Sequence, residues 1–370
     1  MQKPIRILQL FTILNRGGAE TNVMNYYRKM DKSKFQFDFA VHREEKGAYE
    51  DEIQALGGKI FRFSNIHPLH LENYKKQIVA FFDENQYSII HGQCSELGYF
   101  FYKEAYKRGV PVIIAHGHNS KPKLDLKSPF RWFWKKRMMR YVNTYFSCGD
   151  EASLWLFGEE KAKEAFTMTN AIDTEQFQYN EEKSFQIKKE LESLDCKNFI
   201  HVGRFNIQKN HEFLIEVFAL HLQKNQNQKL FLVGEGELKV KIQEQVRTLG
   251  VDEKVIFLGS RNDVNALLQA MDVFLFPSLF EGLPVSLVEA QAAGLHCVIS
   301  DGIPKEAILI SENVSVISLK ESAIQWVEKI NNLNFCPKKD VTPIIKAKGY
   351  DIEANVRILE AKYTELLQRK

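Results

Sequence analysis

No run of eighteen apolar residues occurs in this 370-residue chain, so no segment is composed as a membrane-spanning helix. Cysteine is sparse: the five residues (Cys94, Cys148, Cys196, Cys297, Cys336) are scattered, odd in number and form no C-x-x-C pair. That pattern argues against a disulfide framework and a zinc site and favours a reducing compartment. Neither charge sign dominates, with 50 Lys+Arg against 47 Asp+Glu and a formal net charge of +3, which does not indicate a nucleic-acid binder. The first apolar run is not followed by G-x-G-x-x-G, which makes an NAD oxidoreductase remote. The start, Met1-Gln2-Lys3-Pro4-Ile5-Arg6-Ile7, enters a strand directly without an apolar signal-peptide core, so the expected location is cytoplasmic. Low-complexity segments and internal repeats are not evident.

What is present is ordinary for a globular protein: 44% hydrophobic and 26% charged residues. The length exceeds that at which one core usually stops growing, so two domains are expected. Short apolar runs alternate with helical patterns. Ile5–Thr12, Phe35–Val41, Lys59–Phe63, Ser88–His91, Val112–His116, Thr144–Ser147 and Ala165–Met168 form one series of strands. A second begins after residue 180: Asn198–Val202, Lys229–Val233, Lys254–Leu258, Val273–Phe276, Cys297–Ser300 and Val314–Ile317. Helical patterns such as Ala19–Met30, Tyr74–Glu84 and Glu96–Arg108 lie between them. The fold class is α/β, with two Rossmann-like doubly wound parallel sheets facing a cleft. The polar stretch Asn170–Phe177 sets the boundary, giving domains 1–170 and 171–350. Ligands in such sheets bind beyond the carboxyl ends of the strands.

The most informative stretch is Phe280-Glu281-Gly282-Leu283-Pro284-Val285-Ser286-Leu287-Val288-Glu289-Ala290. It follows the apolar run Asp272–Phe276, so Glu281 falls in a loop at the end of a strand. Pro284 suits the first position of the helix that follows, where a missing N–H costs nothing. Free backbone N–H groups there attract a phosphate, while Glu289 projects from the second turn. Two carboxylates and an anion site suggest a ligand with many hydroxyls and a phosphate, namely a sugar nucleotide. Earlier, His201-Val202-Gly203-Arg204-Phe205-Asn206-Ile207-Gln208-Lys209 places two cations just after a strand, where they can neutralise a diphosphate leaving group.

Glu281 and Glu289, within Phe276-Pro277-Ser278-Leu279-Phe280-Glu281-Gly282-Leu283-Pro284, resemble the E-x7-E signature of retaining glycosyltransferases of family 4. Those enzymes have the two-domain GT-B architecture. The resemblance covers nearly the whole chain, and its specific motifs concentrate between Gly203 and Asp301. It implies that Gly203, Arg204 and Lys209 match the G-R-x4-K element that binds the donor diphosphate. It makes Gly234 and Gly236 a turn shaping the nucleotide pocket, and places Arg261 near the base. Leu283, Pro284, Val285, Ser286 and Leu287 supply the helix-start phosphate site. Glu289 accepts the ribose hydroxyls, and Glu281 lies near the transferred sugar.

In the first domain, Gly17, Gly18 and Glu20 match a G-G-x-E element near donor phosphates and acceptor; paired glycines before a helix let the backbone approach a ligand. In His116-Gly117-His118-Asn119, a histidine beside the transferred sugar is implied. His116 is favoured, with His118 the rival and Asn119 part of the acceptor region. A metal reading is poor on the argument that two histidines separated by one residue on a strand end point to opposite faces, with no partner ligands visible. The last helix, Asp351–Arg369, crosses back onto the first domain in that family.

The implied activity is retaining transfer of a sugar from a nucleotide-sugar donor, with a UDP-sugar expected ahead of a GDP-sugar, to a glycan or lipid-linked acceptor in bacterial surface polysaccharide synthesis, resembling the capsule and exopolysaccharide subgroup. No cofactor or metal is expected, and the nucleobase and the sugar stay open. A glycoside hydrolase using Glu281 and Glu289 would leave the nearby cations unexplained. An epimerase needs its own acid–base residues, and an inactive glycan-binding protein is disfavoured by the intact charged set. Residues 127–141 carry six cations and five aromatics without an acid, a composition suited to an anionic membrane surface. The competing account is a helix with its aromatics inward and its charges in water. Glu289→Ala and Lys209→Ala are expected to abolish transfer with the fold intact.

Overall fold

In a computed structural model, residues 3–67, 70–94, 98–118, 128–335 and 337–369 are described. The chain divides into two compact units, Met1–Ala171 with Ile352–Lys370, and Ile172–Asp351.

The first unit is built on a parallel sheet of β1 (Ile5–Phe11), β2 (Phe35–Val41), β3 (Ile60–Arg62), β4 (Ile89–Gly92), β5 (Val112–Gly117), β6 (Thr144–Ser147) and β7 (Phe166–Thr167), in the order β3-β2-β1-β4-β5-β6-β7. All seven residues of β2 are buried, as expected of a strand covered on both faces. Gln9 on β1 pairs in register with His91 on β4, so polar side chains enter the sheet's interior side by side. The order reverses at β1/β4: the chain leaves β1 toward β2 on one side and returns to β4 on the other. A doubly wound sheet opens a crevice at such a point, beyond the strands' carboxyl ends.

The carboxyl-terminal helix Ile352–Gln368 belongs to this unit. Ile352, Val356, Leu359 and Tyr363 recur at helical spacing and are buried in one cluster with Val23, Met24 and Tyr27 of the helix Gly18–Lys29. Lys29 pairs with Glu353 at 2.9 Å, and Glu360 accepts the Asp31 N–H at 2.8 Å.

The second unit has a parallel sheet of β8 (Lys197–Val202), β9 (Gln228–Val233), β10 (Val255–Gly259), β11 (Val273–Phe276), β12 (His296–Ser300) and β13 (Val314–Ile317), ordered β10-β9-β8-β11-β12-β13. Here the reversal falls at β8/β11. An isolated bridge between Ile172 and Asp351 brings the entry and exit of this unit together, with the Ile172 N–H donating to Tyr350 O at 3.0 Å.

Strand and helix boundaries fall within a few residues of the sequence pattern. The helix expected from Glu96 runs Tyr99–Lys107, residues 95–97 lying outside the described set. Pro284 caps the helix Val285–Ala292 from outside, with φ −73° and ψ 111°, instead of occupying its first turn. Its carbonyl accepts the Leu287 and Val288 N–H groups at 3.1 and 3.3 Å. Among the described residues, no helix is long and apolar enough to cross a membrane.

Candidate functional site

The loop after β8 and the loop after β11 are tied together at the sheet's reversal point. Asn206 accepts the Lys209 N–H at 3.1 Å and closes the single 3-10 turn Ile207–Lys209. Asn210 follows in the left-handed region, φ 54° and ψ 44°, a conformation asparagine tolerates, and donates to Pro277 O at 3.1 Å. The Leu279 N–H donates to Gln208 O at 2.8 Å.

On this frame Lys209 Nζ meets Glu281 Oε1 at 2.7 Å, and Gln208 Nε2 donates to Glu281 Oε2 at 3.0 Å. Both oxygens of Glu281 are thus held by fixed donors. The pair is largely sequestered, with side-chain exposure of 13% for Lys209 and 7% for Glu281. Lys209 Nζ also lies 4.4 Å from the Phe276 ring centroid, a cation–π arrangement. A buried carboxylate without a partner would be costly, so the lysine both neutralises and orients it. Arg204 is exposed, five residues before Lys209 in the same loop, and Glu289 is half-buried on the second turn of its helix.

Gly234 and Gly236 have φ +142° and +158°. A Cβ on Gly234 would stand 2.1 Å from Gly203 O, and one on Gly236 2.4 Å from Phe205 O. The two glycines are required by backbone packing of one loop on the other. The same loops exchange hydrogen bonds, Phe205 N–H to Glu235 O and Leu238 N–H to Phe205 O, each at 3.0 Å.

Several expectations change in detail. Leu283, Val285 and Leu287 are buried, so only their backbones are placed to meet a ligand; Ser286 is half-buried. Arg261 directs a bidentate fork onto Asp263, at 2.8 and 2.6 Å. Sequence reasoning missed Gln208, although it lies inside the quoted basic element. A neutral amide next to a lysine carries no distinguishing signal until the fold brings Glu281 to it.

In the first unit, Gly17 caps the helix Gly18–Lys29 in an extended conformation, Gly18 is exposed and Glu20 is half-buried. The histidines correct the sequence argument. Side chains two apart on a strand share a face, and the rings of His116 and His118 stack, 4.1 Å between centroids and 18° between planes. His116 is fully buried, its Nδ1 3.0 Å from His91 Nε2. His118, one residue beyond β5, is half-buried and bonds through Nε2 to Gln93 Oε1 at 2.6 Å. Of the two stacked rings, that of His118 is the more exposed and that of the favoured His116 is enclosed by the sheet. Burial pushes His118 down to about 4 and His91 to about 3, and holds His116 well below the ordinary histidine range, so all three are neutral at pH 7. Asn119 lies outside the described residues. Among those described, no group of three His, Cys, Asp or Glu could hold a metal ion.

The basic aromatic segment forms the helix Ser128–Met138 and divides its aromatics. Trp134 packs on Tyr99 and Phe100, at 4.4 and 5.0 Å between ring centroids, and Met138 is buried. Trp132 and Phe133 face solvent, 67% and 42% exposed, with Lys136 and Arg137 over their rings. The account with all the aromatics inward therefore does not hold for Trp132 and Phe133.

Residues 182–349 match the family model for glycosyl transferases group 1, and residues 16–175 that for glycosyltransferase family 4. A putative glycosyltransferase, EpsF of Bacillus subtilis (strain 168), is 34% identical over 369 residues, covering 96% of this chain and 95% of that protein. The chain belongs to the family-4 glycosyltransferases. An Escherichia coli UDP-Gal:alpha-D-GlcNAc-diphosphoundecaprenol alpha-1,3-galactosyltransferase is 26% identical, covering 72% of each chain. Among solved structures, Anabaena HepE in complex with UDP and glucose superposes with a TM-score of 0.79 at 16% identity, covering 98% of this chain and 100% of that one, a likeness of fold. The enzyme is thus a retaining glycosyltransferase of GT-B type.

Proposed function

We propose that this glycosyltransferase moves a sugar from a UDP-sugar to a lipid-linked glycan acceptor during synthesis of a bacterial surface polysaccharide. The observation that carries the donor half is Glu281, held through both oxygens by Lys209 and Gln208 at the carboxyl ends of β8 and β11. A carboxylate so fixed accepts hydrogen bonds from sugar hydroxyls without reorganising. Arg204, the remaining donors of Lys209 and the backbone at the start of Val285–Ala292 take the diphosphate, with Gly234, Gly236 and Arg261 around the nucleoside and Glu289 on its ribose. The second unit is accordingly the donor domain and the first the acceptor domain, with Gly17, Gly18, Glu20 and His118 lining its part of the site.

Transfer with retention breaks the bond from the sugar's anomeric carbon to the leaving diphosphate and forms the new bond on the same face. The acceptor's hydroxyl proton passes to a phosphate oxygen. Cations neutralise the departing charge, so no divalent metal is required. The relatives support the acceptor class: one acts on a diphosphoundecaprenol-linked sugar, and a capsular polysaccharide glycosyltransferase of Staphylococcus aureus is 22% identical over 89% of this chain. The outward Trp132 and Phe133 with their cations support docking on the anionic inner face of the membrane, where a lipid-linked acceptor resides.

Thermal shifts against UDP, GDP and a panel of nucleotide sugars, followed by transfer to a lipid-linked acceptor with and without EDTA, test the proposal. Stabilisation by UDP and EDTA-resistant transfer are expected. Sugar release without acceptor at the rate of transfer would make the enzyme a hydrolase.

A further inference from the structure

The buried polar residues beneath His118 form a closed circuit within the first unit. His118 Nε2 bonds Gln93 Oε1 at 2.6 Å, and Gln93 Nε2 donates to Gln9 Oε1 at 2.9 Å. The side chain of Gln9 also bonds the Tyr363 hydroxyl. That hydroxyl lies 2.8 Å from His91 Nδ1, and His91 Nε2 lies 3.0 Å from His116 Nδ1. His116 stacks on His118 and closes the loop. Gln9, His91, Gln93, His116 and Tyr363 are all at least nine-tenths buried. Each comes from a different place in the chain: β1, β4, the turn after β4, β5 and the carboxyl-terminal helix.

Such a circuit costs desolvation, and an apolar core would be cheaper unless the network orients something. Its directions are readable. The Gln93 amide spends its N–H on Gln9, so it presents its oxygen to His118, and only an Nε2–H can meet that oxygen. A neutral imidazole protonated at Nε2 has a lone pair on Nδ1. Stacking on His116 fixes the plane of the ring, and Gln93 fixes its tautomer.

We propose that Gln93 is a positioning residue, braced by Gln9 and Tyr363, that holds His118 as the Nε2–H tautomer with Nδ1 available to accept a hydrogen bond from a hydroxyl of the sugar being transferred. This rests on the assignment of His118 to the site above. It also gives the carboxyl-terminal helix a task beyond packing, since Tyr363 is the far anchor of the circuit.

The test uses the full-length enzyme labelled with 15N-histidine, in which the two ring nitrogens of each neutral tautomer are separated by chemical shift. Wild type should show His118 protonated at Nε2 throughout pH 6–8. Gln93→Leu should mix the tautomers and lower kcat roughly a hundredfold, the scale of a small misplacement at a reacting centre, with the KM for the donor within about twofold. Gln93→Glu keeps an oxygen facing His118 and should keep Nε2 protonated, but it gives up the N–H held by Gln9 and favours the imidazolium, so kcat should recover only in part. If Gln93→Leu does not fold, Gln93→Asn withdraws the amide by one methylene and carries the same expectations. An unchanged tautomer in the variant overturns the proposal. So does a changed tautomer with wild-type kcat while His118→Ala is inactive. Wild-type transfer by His118→Ala would instead remove His118 from the site and the positioning role with it.

Discussion

Lys209→Met, paired with Glu281→Gln, separates binding from folding at the proposed donor site. The substitution keeps the apolar stem over Phe276 and removes the charge, leaving the Glu281 carboxylate 7% exposed with Gln208 as its remaining donor described here. Removing one partner of a buried pair costs about 3–5 kcal/mol because the other charge stays desolvated. The surviving Gln208 bond puts the expected loss at the lower end, about 3 kcal/mol. In a unit of this size that lowers the melting temperature by about 6–12 °C, at 2–4 °C per kcal/mol. A truncated Lys209 is therefore expected to lower stability as well as transfer, with the chain still folded at 25 °C. Lys209→Met/Glu281→Gln removes both charges together and should recover most of the lost stability while remaining inactive. UDP affinity should fall about tenfold to a hundredfold in both, the value of one charge-assisted hydrogen bond of about 1.5–3 kcal/mol. Urea unfolding followed by circular dichroism, with calorimetric titration of UDP, completes the double-mutant cycle. A single variant as stable as wild type, or a double variant no better than the single, would refute the reasoning.

Other consequences follow from the same geometry. Gly234→Ala should abolish the thermal shift given by UDP and lower the melting temperature, since its Cβ would lie 2.1 Å from Gly203 O at a positive φ; retained UDP binding would show that the turn relaxes. Burial pushes His42 down to about 4, His91 to about 3 and His116 well below 6.5. Unfolding releases these groups to take up protons, so their stabilising contribution is complete above pH 6.5 and is lost as pH falls toward 4. With His118, likewise pushed down to about 4, the four such groups of the first unit should give a slope of about 5 kcal/mol per pH unit; unfolding free energies flat between pH 7 and 5 would contradict it. Alanines at Lys136, Arg137 and Arg140 should weaken binding to phosphatidylserine vesicles about a hundredfold, at about 1 kcal/mol per cation near the surface. Wild-type binding should fall as salt is raised, and salt-independent binding would exclude the electrostatic docking.

The strands were legible because parallel strands covered on both faces must be continuous short apolar runs, and both series show them. The loop motifs of the proposed donor site were legible because Gly203, Lys209, Glu281 and Pro284 sit at chain reversals, where glycine, proline and charge stand out against apolar neighbours. His118 was harder to read. Which of the two rings the sheet buries is not written in the sequence, and two histidines two residues apart look alike until β4 and the carboxyl-terminal helix supply His91 and Tyr363. The basic aromatic helix had the same difficulty, since composition does not say that Trp134 turns inward while Trp132 turns out.

Local composition alone determined that this chain alternates strand and helix, where its reversals carry charge and glycine, and which transferase family it resembles. Only the tertiary structure decided that Gln208 grips Glu281 and that Gln93 sets His118. Those pairings join residues 73 and 25 positions apart. Hydrogen-bond partners across such separations are chosen by strand order and register, which no local pattern of residues encodes.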